Sequence, residues 1–367
     1  NFRNYVTKEI IRLGERLEVE SHVVYYSARK SFVQHGFELG IPLEKLKGCN
    51  VLVTGGNGLI ASSFIDALIY INREKNLGIT VFSLCRNAEK ANQRFRSYIE
   101  SKDFRLLIQD VTDPLDEALE FQYIIHAASA AHPSAFNETP VDVMKANFLG
   151  TLNLLEYTVR HKNTRFLFVS SSEVYGENEE GVESFREDMS GCINFARFRA
   201  CYPESKRASE TLCLSFKKQY GVDIVIVRPA FIYGRNIIDS NTRADVYFLR
   251  QVLNHQDIVM YSEGTQVRSY CYINDCISGM LFVLLCGTNG EGYNIGNSQC
   301  VVTLKEYAQA LADIGSVKLR YEPKTAPEGV VFLKTTRCVL NTEKLESLGW
   351  KARYSLRDGI RDIIKPE

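Results

Sequence analysis

The sequence predicts an α/β protein whose core is a doubly wound parallel sheet, preceded by a helical segment and followed by a smaller α/β region. Three observations carry this reading. From Asn50 to Val227, apolar runs of strand length alternate with helical patterns. The first run passes directly into a glycine-rich turn, Thr54-Gly55-Gly56-Asn57-Gly58-Leu59-Ile60-Ala61. Residues with chemistry to offer follow the later runs, and right-handed crossovers bring the carboxyl ends of parallel strands to one edge.

Residues 1–47 read as a separate helical extension. Val6, Ile10, Ile11, Leu13 and Leu17 are helically spaced, and a second pattern runs from Val23 to Phe37 before Gly40-Ile41-Pro42 breaks it. The main unit begins at residue 48. Its strands are read at Val51–Val53, Ile79–Leu84, Phe104–Ile108, Tyr123–Ile125, Phe166–Val169 and Ile224–Val227; its helices at Ser62–Ile71, Val143–Arg160 and Ser205–Tyr220. Residues 48–228 form the dinucleotide-binding domain, rejoined by about 267–297. Residues 229–266 and 298–367 form the substrate-binding region, which caps the sheet edge.

Composition excludes several classes. Lys+Arg and Asp+Glu are both 44, so no net field draws the chain to nucleic acid or an acidic membrane. The ten cysteines lie singly, with no zinc spacing, and fit reduced thiols. No long apolar run or leader pattern is visible. The expectation is a cytoplasmic protein with no metal and no membrane or nucleic-acid partner.

The turn spaces Gly55, Gly58 and Ala61 as G-x-x-G-x-x-A between a strand and a helix. Glycine lets the backbone approach a pyrophosphate, and the helix start offers free N–H groups to it. The second strand ends Leu84-Cys85-Arg86-Asn87 rather than in an acid. Arg86 can therefore meet a 2′-phosphate, keeping NADP open beside NAD, or it can stack on adenine. Asp110 is placed to contact the adenine or to cap a turn.

Tyr202 and Lys206 open a helix after the fifth strand, and their i,i+4 spacing sets both on one face. An adjacent ammonium and an oxidised nicotinamide lower a tyrosine's pKa from about 10. Ser171 or Ser172, just past the fifth strand, can bond the same substrate oxygen. A second Tyr-x-x-x-Lys, at Tyr26–Lys30, precedes the nucleotide turn and reads as a helix-surface pair.

With these residues in view, the chain resembles the extended branch of the short-chain dehydrogenase/reductase family: the nucleotide-sugar epimerases, dehydratases and decarboxylases. The resemblance spans roughly residues 50–360. It rests on Val51–Ala61, Ala146-Asn147-Phe148-Leu149-Gly150-Thr151, Ser170–Gly176, Tyr202–Lys206 and Leu348-Gly349-Trp350. Arg199-Ala200-Cys201-Tyr202-Pro203-Glu204-Ser205-Lys206-Arg207 and the Ser172-Glu173 pair are most similar to the UDP-glucuronate decarboxylases.

The resemblance implies a Rossmann fold, an NAD or NADP cofactor, a nucleotide-diphosphate sugar as substrate and a homodimer built on the two long helices. The stripe Val143, Ala146, Leu149, Leu152 and Leu155 faces either that partner or the sheet. Carried over, Tyr202 takes the sugar O4 proton, Lys206 orients Tyr202 and the ribose, and Ser171 polarises O4. Glu173 handles a proton at C5, or alternatively pairs with a nearby arginine. Gly55, Asn57, Gly58, Leu59, Ile60, Arg86, Asp110, Val111, Ala127 and Ala128 join Tyr202 and Lys206 around the cofactor. Ser172, Arg268 and Arg337 bind substrate, the two arginines facing the diphosphate.

Two departures stand out. Phe231 sits where these enzymes usually carry a substrate-binding Asn, and it lacks the amide's hydrogen bonds. Ser172 replaces the Asp with which dehydratases protonate a leaving hydroxyl. The leading expectation is an enzyme acting through a 4-keto intermediate, most like a decarboxylase. The competing readings are a 4-epimerase or 4,6-dehydratase, an NADP-dependent keto-sugar reductase, for which Arg86 and Arg228-Pro229 speak, and a non-catalytic cofactor-sensing scaffold.

Overall fold

A computed structural model describes residues 40–177, 181–236, 241–322 and 337–365. The helical readings over Val6–Leu17 and Val23–Phe37 lie outside these residues. What is described of the first 47 residues packs onto the body: Leu46 is fully buried, and Lys45 Nζ donates to the Leu285 carbonyl at 2.7 Å.

The chain builds β1 (Asn50–Thr54), α1 (Leu59–Lys75), β2 (Thr80–Cys85), α2 (Ala88–Phe95), β3 (Phe104–Ile108) and β4 (Tyr123–His126). It continues with α3 (Pro133–Glu138), α4 (Pro140–Arg160), β5 (Arg165–Val169), α5 (Cys201–Tyr220), β6 (Asp223–Pro229) and β7 (Phe231–Tyr233). Beyond these come α6 (Ala244–Leu253), β8 (Ile258–Met260), β9 (Val267–Tyr272), α7 (Ile273–Cys286), β10 (Gly292–Ile295) and β11 (Val301–Thr303). The last elements are α8 (Leu304–Gly315), β12 (Leu319–Tyr321), β13 (Arg337–Cys338), α9 (Glu343–Ser347) and α10 (Leu356–Ile364).

Seven strands form one sheet in the order β10-β6-β5-β4-β1-β2-β3, every pair parallel. The expected doubly wound parallel sheet is thus present. Its order reverses between β1 and β4, the place where such sheets open a ligand crevice. The smaller region is also present: β11, β9, β13 and β7 form a second sheet, and β12 pairs with β8. α7 and β10 return to the large sheet between these pieces. No helix among the described residues is long and apolar enough to cross a membrane. All ten cysteines are free thiols, most of them buried.

Several helices exceed their sequence-read bounds for local reasons. α1 starts immediately after its N-cap Gly58 and runs on to an Asn76 C-cap in the left-handed region (φ 50°). α4 begins with Pro140, which tolerates the first turn because its missing N–H would have no partner there. α5 begins at Cys201, one residue before Tyr202, and ends at Gly221 (φ 73°).

α4 and α5 lie side by side, clamped through polar groups: Asn147 Nδ2 donates to Ser205 Oγ at 2.8 Å, and Ser209 Oγ donates to the Asn147 carbonyl at 2.9 Å. The clamp sets the rotation of the helix that carries Tyr202 and Lys206. The apolar stripe of α4 is divided. Val143 and Leu155 are buried, Ala146 and Leu152 half-buried, and Leu149 exposed.

Behind the sheet, Trp350 is wholly buried and its Nε1 donates to Ser278 Oγ at 3.0 Å on α7. Gly279 leaves room for the indole: a Cβ there would sit 3.3 Å from the ring. Trp350→Ala is expected to destabilise the protein by about 3–5 kcal/mol, through lost burial and the cavity left behind. The midpoint of urea unfolding measures it; a change below about 1 kcal/mol would show that the tail does not anchor the sheet.

Candidate active site

The glycine turn builds the first wall. Gly55 has φ 74°, its N–H donates to the Leu84 carbonyl at 3.0 Å, and a Cβ there would lie 2.7 Å from Ala128 Cα. Gly56 is tighter still: a Cβ would collide with Ser83 Oγ and lie 2.9 Å from Cys85 Sγ. The first helical bond of α1 runs from Ser62 N–H to the Gly58 carbonyl, and no side chain caps the helix. The first-turn N–H groups of Leu59, Ile60 and Ala61 are therefore without helical partners. Leu59, Ile60 and Ala61 line the cleft, and Asn57 Oδ1 is buried nearby without a hydrogen bond. A close-approach turn with free N–H groups fits the pyrophosphate of a dinucleotide.

Across the turn, Thr54 Oγ1 accepts the Ala128 N–H at 3.1 Å and pairs with His126 Nδ1 at 2.8 Å. Burial pushes His126 well below the usual histidine range, with Lys206 acting in the same direction, so the ring is neutral. This brace shapes the Ala127–Ala128 strand end; its partners lie 72 residues apart, beyond any local pattern. Val111 is buried against Gly150, whose added Cβ would lie 2.8 Å from a Val111 methyl.

Just past the ends of β2 and β3, Arg86 and Asp110 form an ion pair at 3.6 Å. Asp110 also accepts the Thr112 N–H and hydroxyl at 2.9 and 2.8 Å. Burial raises the Asp110 pKa, but these bonds and Arg86 together outweigh it, and the net shift is downward.

The second wall follows β5. Ser171 Oγ accepts the Glu173 N–H at 3.1 Å, and its side chain lies near enough to Tyr202 to favour the ionised phenol. Tyr202 is 5% exposed, and its ring packs on Phe136 at 4.9 Å. Burial pushes the Tyr202 phenol up to about 12; the Glu173 charge adds to this, and Ser171, Arg243 and Arg199 oppose it.

Lys206 is bonded to the backbone rather than to Tyr202. Its Nζ donates to the Val169 carbonyl at 2.7 Å and lies 4.8 Å from the centre of the Phe168 ring. Burial pulls the ammonium down to about 7, against the pull of Glu210. The protein's own groups therefore leave Tyr202 protonated at neutral pH.

Glu173 takes the arginine partner that was one of its two expected roles. Arg199 Nη2 donates to both carboxylate oxygens, at 3.0 and 3.3 Å. Glu173, Arg199, Tyr202, Ser170, Ser171 and Ser172 nevertheless line one cleft with the glycine turn. Ser172 is nearly buried, at 4% exposure.

Arg268 and Arg337, expected at the diphosphate, take backbone partners. Arg268 is 4% exposed, donates to the Val267 carbonyl at 2.9 Å and sits 5.1 Å from the centre of the Phe231 ring. Arg337 donates to the Glu183 carbonyl at 2.7 Å. Neither lines this cleft, whereas Arg243, missed in the sequence, does. Arg243 opens α6 after a stretch with no strand or glycine signal to mark it. Its guanidinium lies 5.7 Å from the same Phe231 ring, which thus packs near two cations in place of an amide. Arg228 is absorbed structurally, bonding Glu210 at 2.6 Å and the Tyr175 hydroxyl at 2.8 Å.

A parallel sheet with a glycine turn at its switch point and a tyrosine–lysine helix beside it defines the extended short-chain dehydrogenase/reductase class. The family model described as "NAD dependent epimerase/dehydratase family" matches residues 51–296, and the chain belongs to that family. It is 31% identical over 315 residues to UDP-glucuronic acid decarboxylase 1 of Danio rerio, covering 86% of this chain and 72% of that protein. It is 32% identical over 310 residues to UDP-glucuronic acid decarboxylase 6 of Arabidopsis thaliana, covering 84% and 86%. Among solved structures, the fold is shared with a UDP-glucuronic acid 4-epimerase from Bacillus cereus, in complex with UDP-glucuronic acid and NAD (TM-score 0.71, 23% identity, 86% and 99% covered). It is shared equally with a dTDP-glucose 4,6-dehydratase from Streptomyces venezuelae (TM-score 0.72, 24% identity, 86% and 96% covered).

Proposed function

We propose that this chain is an NAD-dependent nucleotide-sugar decarboxylase that acts on a UDP-linked uronic acid through a 4-keto intermediate. One observation carries the choice of reaction: the Glu173 carboxylate shares a cleft with Ser171 and Tyr202. The relatives named as UDP-glucuronic acid decarboxylases support the same substrate.

Tyr202 is assigned the O4 proton, and Ser171 the polarisation of that oxygen. NAD bound at the glycine turn would supply the hydride acceptor and donor at C4. Oxidation at C4 makes the C5 carboxylate a β-keto acid, so the C5–C6 bond breaks and CO₂ leaves. Glu173 acts at C5, where a proton then enters, and Tyr202 gives its proton back to O4. Tyr202 needs a cationic neighbour to ionise, and Lys206 does not face it through a direct bond. Lys206 is accordingly assigned to the ribose side of the cofactor, with Gly55, Asn57, Gly58, Leu59 and Ile60 at the pyrophosphate. Ala127, Ala128 and Val111 are assigned to the wall beside it.

NAD is preferred to NADP because the Arg86 charge is met by Asp110, whose carboxylate opposes a 2′-phosphate. With Arg228 committed to Glu210, nothing specific in the site favours a net reductase. The exposed residues Val141, Met144 and Leu149 on α4 and Leu214 on α5 support a homodimer through these helices.

Incubation with UDP-glucuronate tests the reaction. The expected product has lost CO₂ while the total NAD pool stays oxidised. An unchanged mass means epimerisation, and loss of water means dehydration. Glu173→Gln is expected to lower turnover about 100-fold while leaving C4 oxidation measurable as enzyme-bound NADH. Normal turnover by that variant would remove Glu173 from the chemistry.

A further inference from the structure

Arg199 uses one of its three guanidinium nitrogens. Nη2 bonds both oxygens of Glu173, while Nε and Nη1 have no hydrogen-bond partner among the described residues. The side chain is 32% exposed and lies in the wall of the cleft. Its guanidinium carbon sits 4.3 Å from the centre of the Phe136 ring, and Phe136 packs on Tyr202 at 4.9 Å with the rings tilted by 30°. Guanidinium, ring and phenol thus form a layered stack, held at one end by a carboxylate.

An anchored guanidinium with a free edge is a pre-ordered receptor for a second carboxylate. The other arginine of the lining, Arg243, is less exposed, 21% against 32%, and its Nη2 bonds Asp245 at 2.9 Å and the Ile232 carbonyl at 3.2 Å. His132, also in the lining, is pushed towards neutrality by burial. An acidic sugar entering this cleft would meet Glu173, and two carboxylates repel unless a cation lies between them.

We propose that Arg199 recognises the C5 carboxylate of the uronate sugar and sets the preference for uronates over neutral hexoses, which rests on the functional reading above. Nη2 keeps Glu173 in place while the free Nη1 donates to the substrate carboxylate. One residue then both selects the acid and screens it from Glu173. Phe136 fixes the plane of the fork, so little freedom is lost when the substrate docks.

Calorimetric titration of the NAD-loaded full chain with UDP, UDP-glucose and UDP-glucuronate tests this. The wild type is expected to bind UDP-glucuronate about 10- to 100-fold more tightly than UDP-glucose. Arg199→Met should lose about 30-fold for the uronate while UDP and UDP-glucose stay within about two-fold, which also shows that the variant is folded. Arg199→Lys should recover part of the preference as a point charge, and in turnover KM should rise more than kcat falls.

Glu173→Gln supplies the control for a merely structural role. If Arg199 served only to hold Glu173, the two variants would change uronate affinity alike. The inference instead requires Glu173→Gln to keep the preference. A wild type that binds UDP with no uronate preference overturns the inference alone. The same holds if Arg199→Met keeps the preference, or weakens all three ligands equally. No affinity for any of the three overturns the functional reading, and the inference with it.

Discussion

Tyr202→Phe should lower turnover by about 10³-fold or more while leaving the fold and NAD affinity intact. The phenol oxygen is the group we propose to move the O4 proton, and general acid–base groups of this kind contribute about 10²–10⁴-fold. Removing it leaves the Phe136 stacking and the buried ring in place, since only the hydroxyl is lost. A pH signature separates this role from packing. Burial holds the Tyr202 phenol up to about 12 against the protein's own groups, so the ionised form is scarce at neutral pH. Single-turnover oxidation of C4 should then rise about tenfold per pH unit until the phenol's working pKa in the loaded enzyme is reached. Tyr202→Phe should abolish that slope along with the rate. A variant with near-normal single-turnover oxidation would remove Tyr202 from proton transfer.

Gly56→Val should abolish dinucleotide binding, by at least about 100-fold, and destabilise the fold by about 1–3 kcal/mol through overpacking. The added Cβ has no free space, because Ser83 Oγ and Cys85 Sγ at the end of β2 already occupy it. To admit a branched side chain, either β2 must move away from β1 or the turn must rise into the space a pyrophosphate needs. Both responses misplace the free N–H groups of α1. Fluorescence titration with NADH reads the binding, and chemical unfolding reads the stability. Gly56→Ala should show the same effects at smaller size. NADH affinity within a few-fold of wild type in Gly56→Val would show that the turn does not hold the cofactor.

Gly56 also marks where local reading reached its limit. The spacing of Gly55, Gly58 and Ala61 is a pattern along the chain and was visible at once. The demand on Gly56 comes from the neighbouring strand, through side chains about 30 residues away in sequence. Arg243 and Arg268 illustrate the same division. A family motif pointed to Arg268, which packs on Phe231, while Arg243, with no motif of its own, lines the cleft. Surface-capable residues such as arginine have no periodic signature, so only the path of the returning chain decides which one meets the ligand.

The amino-acid sequence by itself determined the doubly wound sheet, the glycine turn, the placement of Ser171 after β5 and the shared helix face of Tyr202 and Lys206. These follow from short-range physics: strand-length apolar runs, the backbone freedom of glycine and the i,i+4 geometry of one helix turn. The tertiary structure alone decided who pairs with whom. Glu173 meets Arg199 from 26 residues away, and Lys206 bonds the Val169 carbonyl from 37 residues away. Arg86 meets Asp110 across neighbouring strand ends. Charge pairing acts within a few ångströms in space and is indifferent to distance along the chain, so partners were open until the sheet brought its edge together.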